Sequence, residues 1–196
     1  MREVEPLAER LRPRSLDEVL GQPHLTGPKG LLRRMLEAGR LSSMVLFGPP
    51  GTGKSHLVQA LGYQAIKAGF VVLYRSIFDV VRDFLHDEAL AGQDRVLTKY
   101  LKPDLLIIDD MGMKALPKRS GEYLFEIILR RYETRSTIMT SNRPLEDWGK
   151  LIGDVPSATA ILDRFLHHAE TITITGKSYR LKTRSAPEPA CKEETP

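Results

Sequence analysis

The sequence predicts an α/β protein in which a five-stranded, mainly parallel sheet is covered by helices on both faces, and three features carry that reading. Five short apolar or β-branched runs of strand length recur along the chain, apolar residues at helical spacing fill the intervals, and a glycine-rich turn sits between the first run and the first long helix. Parallel strands joined by helical crossovers are buried on both faces, so their runs read as continuously apolar.

Residues 1–43, rich in Arg, Pro and Gly, form a preamble with short helices expected around 15–20 and 30–38. Met44-Val45-Leu46-Phe47 is the first strand. A helix follows over 55–67, where Leu57, Val58, Leu61 and Ile66 fit helical spacing, and Gly69 ends it. Residues 70–74 read as a second buried strand. A helix over about 78–91 gathers Val80, Val81, Phe84 and Leu85 on one face, a shorter one spans 95–101, and Pro103 stops it. Residues 105–108 give the third strand, 121–132 a helix with Ser120 as N-cap, 137–139 the fourth strand, 158–168 the last helix and 171–175 the fifth strand. The expected organisation is therefore a preamble at 1–43, a core at 44–182 and a disordered tail at 183–196, where Pro187, Pro189 and acidic residues accumulate.

Composition excludes several classes of protein. Hydrophobic residues at 41%, charged residues at 28% and aromatics at 7% describe a globular chain and not a fibrous or disordered one. The net charge of +4 permits a nucleic-acid partner without requiring one. The single cysteine, Cys191, cannot form an internal disulfide, which suits the cytoplasm. Apolar runs such as 105–108 are far short of the roughly 20 residues of a membrane helix. The charged start Met1-Arg2-Glu3-Val4-Glu5 lacks the apolar stretch of a secretory signal.

The strongest chemical signal is Gly48-Pro49-Pro50-Gly51-Thr52-Gly53-Lys54-Ser55, which satisfies G-x-x-x-x-G-K-[ST] between a strand and a helix. Glycines let backbone N–H groups turn in around phosphate oxygens, the helix N-terminus adds partial positive charge, Lys54 reaches the β- and γ-phosphates and Ser55 ligands Mg²⁺; His56 follows in the same turn. Leu105-Leu106-Ile107-Ile108-Asp109-Asp110 is a buried strand that delivers carboxylates where open α/β sheets bind ligands. Asp109 is expected to hold the Mg²⁺ shell and Asp110 to orient or deprotonate the attacking water. Glu is usual at that second position, so slow hydrolysis is expected. The alternative for this pair is a strand-end turn with two solvated acids.

Together these features indicate a P-loop ATPase of the AAA+ type that binds ATP and Mg²⁺. In Thr140-Ser141-Asn142, Asn142 suits the sensor role beside the γ-phosphate, although Asn is also a common turn residue. Arg164 lies on the following helix, where an arginine finger would enter a neighbour's site and imply an oligomer; the alternative is a pairing with Asp163 or with solvent. Arg33-Arg34, Lys114, Lys118-Arg119, Arg130-Arg131 and the set Lys177, Arg180, Lys182 and Arg184 read mostly as solvated faces, with the loop at 114–119 the candidate for DNA phosphates. His167-His168 and the other histidines show no metal-ligand spacing.

From about residue 56 to 182 the chain resembles the IstB-like transposition helper ATPases, relatives of the DnaC-type helicase loaders. The stretches that carry the likeness are V-V-L-Y-R-S-I-F-D-V-V-R-D-F-L at 71–85, K-P-D-L-L-I-I-D-D-M-G at 102–112, T-S-N-R-P-L-E-D-W-G-K-L-I-G-D at 140–154 and A-I-L-D-R-F-L-H-H at 160–168. The resemblance implies an AAA+ core, ATP-dependent homo-oligomers on double-stranded DNA and a transposase partner. It carries Lys54, Ser55, Asp109, Asp110, Asn142 and Arg164 into the roles above.

Residues 6–25 and 38–54 instead resemble the RarA-type recombination ATPases of the clamp-loader clade, in which the segment matching Val19 to Gln22 borders the adenine. A hybrid joined near the P-loop is the resulting expectation. No C-terminal helical lid is expected after the fifth strand, in keeping with the lidless IstB-like group, and Arg180 is a candidate substitute for the lid arginine. Two rival functions follow: a helicase-loader-like adaptor driven by its ATP state, and a hybrid or truncated product that binds ATP without turnover.

Overall fold

The computed structural model describes residues 12–89, 93–176 and 178. Arg180, Lys177, Lys182, Arg184, Cys191, the tail and residues 6–11 lie outside the described residues. Five parallel strands, β1 (Met44–Phe47), β2 (Val72–Ser76), β3 (Leu105–Met111), β4 (Ser136–Ser141) and β5 (Glu170–Thr173), form one sheet in the order β2-β3-β4-β1-β5. The helices are α1 (Pro23–Thr26), α2 (Leu31–Glu37), α3 (Lys54–Lys67), α4 (Ile77–Ala89), α5 (Gln93–Leu101), α6 (Ser120–Arg131), α7 (Trp148–Ile152) and α8 (Val155–Leu166).

Alternation along the strands divides the core into two layers, because successive side chains point to opposite faces. Leu105 and Ile107 join Met44, Leu46, Ile138 and Ile172 beneath α3, while Leu106 and Ile108 join Val45 and Met139 beneath α4 to α8. The preamble belongs to the first layer: Leu16, Val19, Leu25 and Leu32 are buried with Leu57, Val58 and Leu61 of α3. Among the described residues, no helix is long and apolar enough to cross a membrane.

The structure corrects several local expectations. The second strand is neither at 70–74 nor buried: β2 pairs with β3 alone, all its residues are partly exposed, and Phe70 and Val71 are 44% and 61% exposed. A Schellman turn uses up the preceding residues, with Gly69 at φ 91, its N–H on Ile66 O at 3.0 Å and that of Phe70 on Ala65 O at 3.0 Å. Ser120 is the first residue of α6, not its cap; left-handed Arg119 (φ 69) precedes it, and Ser120 Oγ donates to Pro117 O at 2.6 Å. The short helix α7, unanticipated, is anchored by fully buried Trp148 and closed by Gly153 at φ 72.

Arg131 is not a solvated cation. It is 1% exposed and donates to Thr137 Oγ1 at 2.9 Å and to the carbonyls of Tyr100 at 3.0 Å, Pro103 at 2.8 Å and Ser136. Those acceptors belong to the end of α5, the approach to β3 and the first two residues of β4, so one guanidinium joins three elements and satisfies the carbonyls at the end of α5.

Candidate functional site

In a parallel sheet of this kind ligands bind beyond the carboxyl ends of the strands. β1 leads there into a loop with Gly48 at φ 154, Gly51 at φ 80 and Gly53 at φ 91. Gly48 also allows a close approach: a Cβ there would lie 2.0 Å from the Ile174 carbonyl oxygen. Gly53 precedes α3, whose N-terminus has no side-chain cap, so its first amides are left for another acceptor.

Lys54 is 6% exposed, and its Nζ donates to the carbonyls of Gly48 and Pro49, both at 2.7 Å. Burial lowers its pKa, opposed by the nearby charges of Asp109 and Asp110. Thr52 Oγ1 donates to Pro49 O at 2.9 Å, so the loop is braced from within. Ser55 is half-buried in the first turn of α3 and His56 is exposed beside it.

At the end of β3, Asp109 is 2% exposed and accepts hydrogen bonds from the hydroxyls of Tyr74 and Thr140 and from the Asp110 amide, the last at 2.9 Å. Burial, then the bond to Asp109, raises the Tyr74 pKa. The register between Ile108 and Met111 shifts against β4, and Asp110 sits within that irregularity at φ 66. In a regular strand consecutive side chains point to opposite faces. The bulge breaks that alternation, and both carboxylates act on the Lys54 ammonium. Sequence alone gives neither Tyr74 nor Thr140 a role. A tyrosine on an edge strand has no motif, and only the β2–β3 register reveals its partner.

Asn142 follows β4 beside the loop, where the Gly48 amide donates to Ser141 O at 3.2 Å. Its carboxamide donates to Met113 Sδ at 2.8 Å. Arg164 stands apart. It is exposed near the end of α8, which runs towards the amino ends of the strands, close to Tyr132. It has no hydrogen-bond or ion-pair partner among the described residues, Asp163 included. The structure thus brings residues 48–56, Asp109, Asp110 and Asn142 to one end of the sheet, and places Arg164 away from them.

This arrangement fits a phosphorylated ligand with a hard cation. Uncapped amides and a buried ammonium match phosphate oxygens, and a hydroxyl with a carboxylate is an oxygen donor set of the kind Mg²⁺ takes beside phosphates. At the same end, the loop after β3 is pinned by buried Leu116, whose amide donates to Leu151 O at 3.0 Å, and exposes Lys114, Lys118 and Arg119. Lys114 Nζ lies over the Phe78 ring, and Arg119 pairs with Glu122. Gln22 Nε2 donates to Thr175 O at 2.7 Å, which ties the segment at 19–22 to the chain that leaves β5 alongside Gly48.

Comparison with known proteins agrees with this geometry. The profile of the family described as IstB-like ATP binding protein matches residues 38–187. The match begins before the junction expected near the P-loop, so β1 and the whole loop fall inside it. The chain is 37% identical over 155 residues to the ATP-binding protein of insertion sequence IS5376 from Geobacillus stearothermophilus, covering 79% of this chain and 62% of that relative. It therefore spans about three fifths of the relative's length. Among solved structures, AMPPCP-bound DnaA from Aquifex aeolicus superposes with a TM-score of 0.68 at 26% identity, covering 87% of this chain and 53% of that one. The DnaC helicase loader, at 22% identity, shares the fold with a TM-score of 0.68 over 85% of this chain and 99% of its own.

Proposed function

The chain belongs to the IstB-like ATP-binding protein family, and from that premise we propose that it is a cytoplasmic ATPase that assembles with copies of itself on double-stranded DNA to assist a transposase. The observation that carries the reading is buried Lys54 at the uncapped start of α3, with Asp109 and Asp110 both acting on it from β3.

In this reading Lys54 leaves the Gly48 and Pro49 carbonyls for the β- and γ-phosphates, and the amides of the loop and the first turn of α3 hold the phosphate oxygens. Mg²⁺, when bound, would neutralise charge on the β- and γ-phosphates; Ser55 and Asp109 are the residues that would hold it. Tyr74 and Thr140 keep the Asp109 carboxylate in place. Asp110 accepts the proton of the attacking water at its carboxylate, and Asn142 releases Met113 to steady the γ-phosphate or that water. Arg164, exposed and distant from its own loop, enters a neighbour's site, which makes turnover depend on assembly. Lys114, Lys118 and Arg119 meet DNA phosphates close to the nucleotide. The segment at 19–22 flanks the base.

One observation favours a second reading, an ATP-dependent adaptor of low turnover: the second carboxylate is Asp110, shorter than the usual Glu, on left-handed backbone. Hydrolysis assays with and without duplex DNA separate the two. Stimulation by DNA that is lost in Lys54→Ala and Arg164→Ala supports the ATPase; ATP binding with no turnover under any condition leaves the adaptor.

A further inference from the structure

At the end of the sheet opposite the nucleotide loop, two turns meet. Tyr132 and Glu133 follow α6, Glu133 taking φ 58, and His167 and His168 follow α8. The sequence offered no ligand spacing because Glu133 and His168 are 35 residues apart, yet the fold joins them. His168 Nε2 lies 3.0 Å from Glu133 Oε1 and 3.0 Å from His167 Nδ1, and the three ligand atoms are all within 4.8 Å of one another. His167 Nδ1 also lies 2.7 Å from the Tyr132 hydroxyl, and the imidazoles meet edge-on with centroids 4.2 Å apart.

Metal–nitrogen and metal–oxygen bonds of about 2.1 Å at right angles set neighbouring ligand atoms about 3.0 Å apart, and at the tetrahedral angle about 3.4 Å apart. Both measured edges match the first value. His168 Nε2 sits between the other two atoms and, without a cation, has one hydrogen to share between a carboxylate and a second imidazole. Two imidazoles and a carboxylate are the donor set that first-row transition cations prefer to Mg²⁺ or Ca²⁺.

We propose that Glu133, His167 and His168 form a site for a divalent first-row transition cation of the zinc or nickel type, with water completing its shell. The cation takes the Nε2 lone pair of His168 in the tautomer whose hydrogen sits on Nδ1, and the Nδ1 lone pair of His167 in the tautomer whose hydrogen sits on Nε2, so both imidazoles ligate in their neutral form with no net loss of a proton. The Tyr132 hydroxyl then turns from His167 Nδ1 to solvent. The side chains of His168 and Glu133 are 53% and 60% exposed, so the ligand atoms are reachable without rearrangement of the core. This site stands independently of the nucleotide reading.

The test is calorimetric titration of the full chain, made without a polyhistidine tag and free of nucleotide, with zinc chloride and with nickel chloride. The expected result is about one cation per chain, with affinity falling by about 10-fold or more in His168→Ala and in Glu133→Gln and unchanged in His24→Ala. Cobalt chloride supplies a second readout, visible absorption bands that appear with the wild-type protein and vanish in His168→Ala. Absence of binding by zinc and nickel, or full affinity retained in His168→Ala, overturns the site. Circular dichroism of that variant is expected to match wild type, because the ring is exposed.

Discussion

The phenol of Tyr74 on β2 donates to the buried carboxylate of Asp109 on β3, across a strand pair in which Tyr74 faces Ile107 and Ser76 faces Asp109. Thr140 on β4 donates to the other carboxylate oxygen, so one acid is gripped from both neighbouring strands. Gln59 of α3 donates to the same phenol at 3.4 Å, which connects the nucleotide-loop helix to the grip. Loss of the grip is expected to act on cation binding before it acts on the fold. Tyr74→Phe should raise the magnesium concentration needed for half-maximal ATP binding by about 5-fold, consistent with the roughly 1 kcal/mol of one hydrogen bond. Binding of ATP in excess EDTA should be unchanged, as fluorescent-nucleotide titration would show.

Arg131 and Arg130 are adjacent in sequence and opposite in consequence. Arg131 is buried among backbone carbonyls, and burial, followed by repulsion from Arg135, lowers its pKa to about 10. Arg130 makes an exposed pair with Glu126 at 3.0 Å. Arg131→Met leaves several buried carbonyls unpaired and is expected to cost about 3 kcal/mol or more, while Arg130→Ala stays within about 0.5 kcal/mol. Urea denaturation of the two variants checks the contrast, and equal effects would deny Arg131 its structural role.

Asp83 of α4 joins α5 by accepting from Tyr100 OH at 2.6 Å and from Lys99 Nζ. Burial pushes its pKa up, but the bonds from Lys99 and Tyr100 and the Lys99 charge outweigh that and hold it below the ordinary aspartate range. A carboxyl lowered in the folded state adds stability that is present above its unfolded pKa and lost as pH falls through the folded value. Asp83→Asn is therefore expected to cost about 1–2 kcal/mol at pH 7, with the gap to wild type narrowing below about pH 4. Chemical denaturation at pH 7 and pH 3 measures it, and a gap that does not change with pH would remove the ionic contribution.

The P-loop and the acidic strand were legible because each is a local pattern, a glycine-rich run before Lys54 and an apolar run ending in Asp109 and Asp110. The five strands and most helices were legible from periodicity, and β2 was misplaced because an edge strand buries too little to distinguish Phe70 and Val71 from it. Sequence alone gives no role to Tyr74, Thr140 or Glu133 and makes Arg131 a solvated cation for a shared reason: each acts through partners supplied by strand register or by elements far along the chain. The bulge at Asp110 likewise has no composition of its own, since the residue at φ 66 is an ordinary aspartate.

In the proposed function the catalytic site is shared between protomers, with Lys54, Asp109 and Asp110 from one chain and Arg164 from the next. Mixing Lys54→Ala chains with Arg164→Ala chains on duplex DNA tests it most directly, since some contacts in a mixed assembly pair an intact loop with an intact arginine. Each variant alone is expected to be inactive, and the mixture is expected to recover a measurable fraction of wild-type hydrolysis. Full activity of Arg164→Ala alone, or no recovery when the two variants are shown to assemble together, would contradict it.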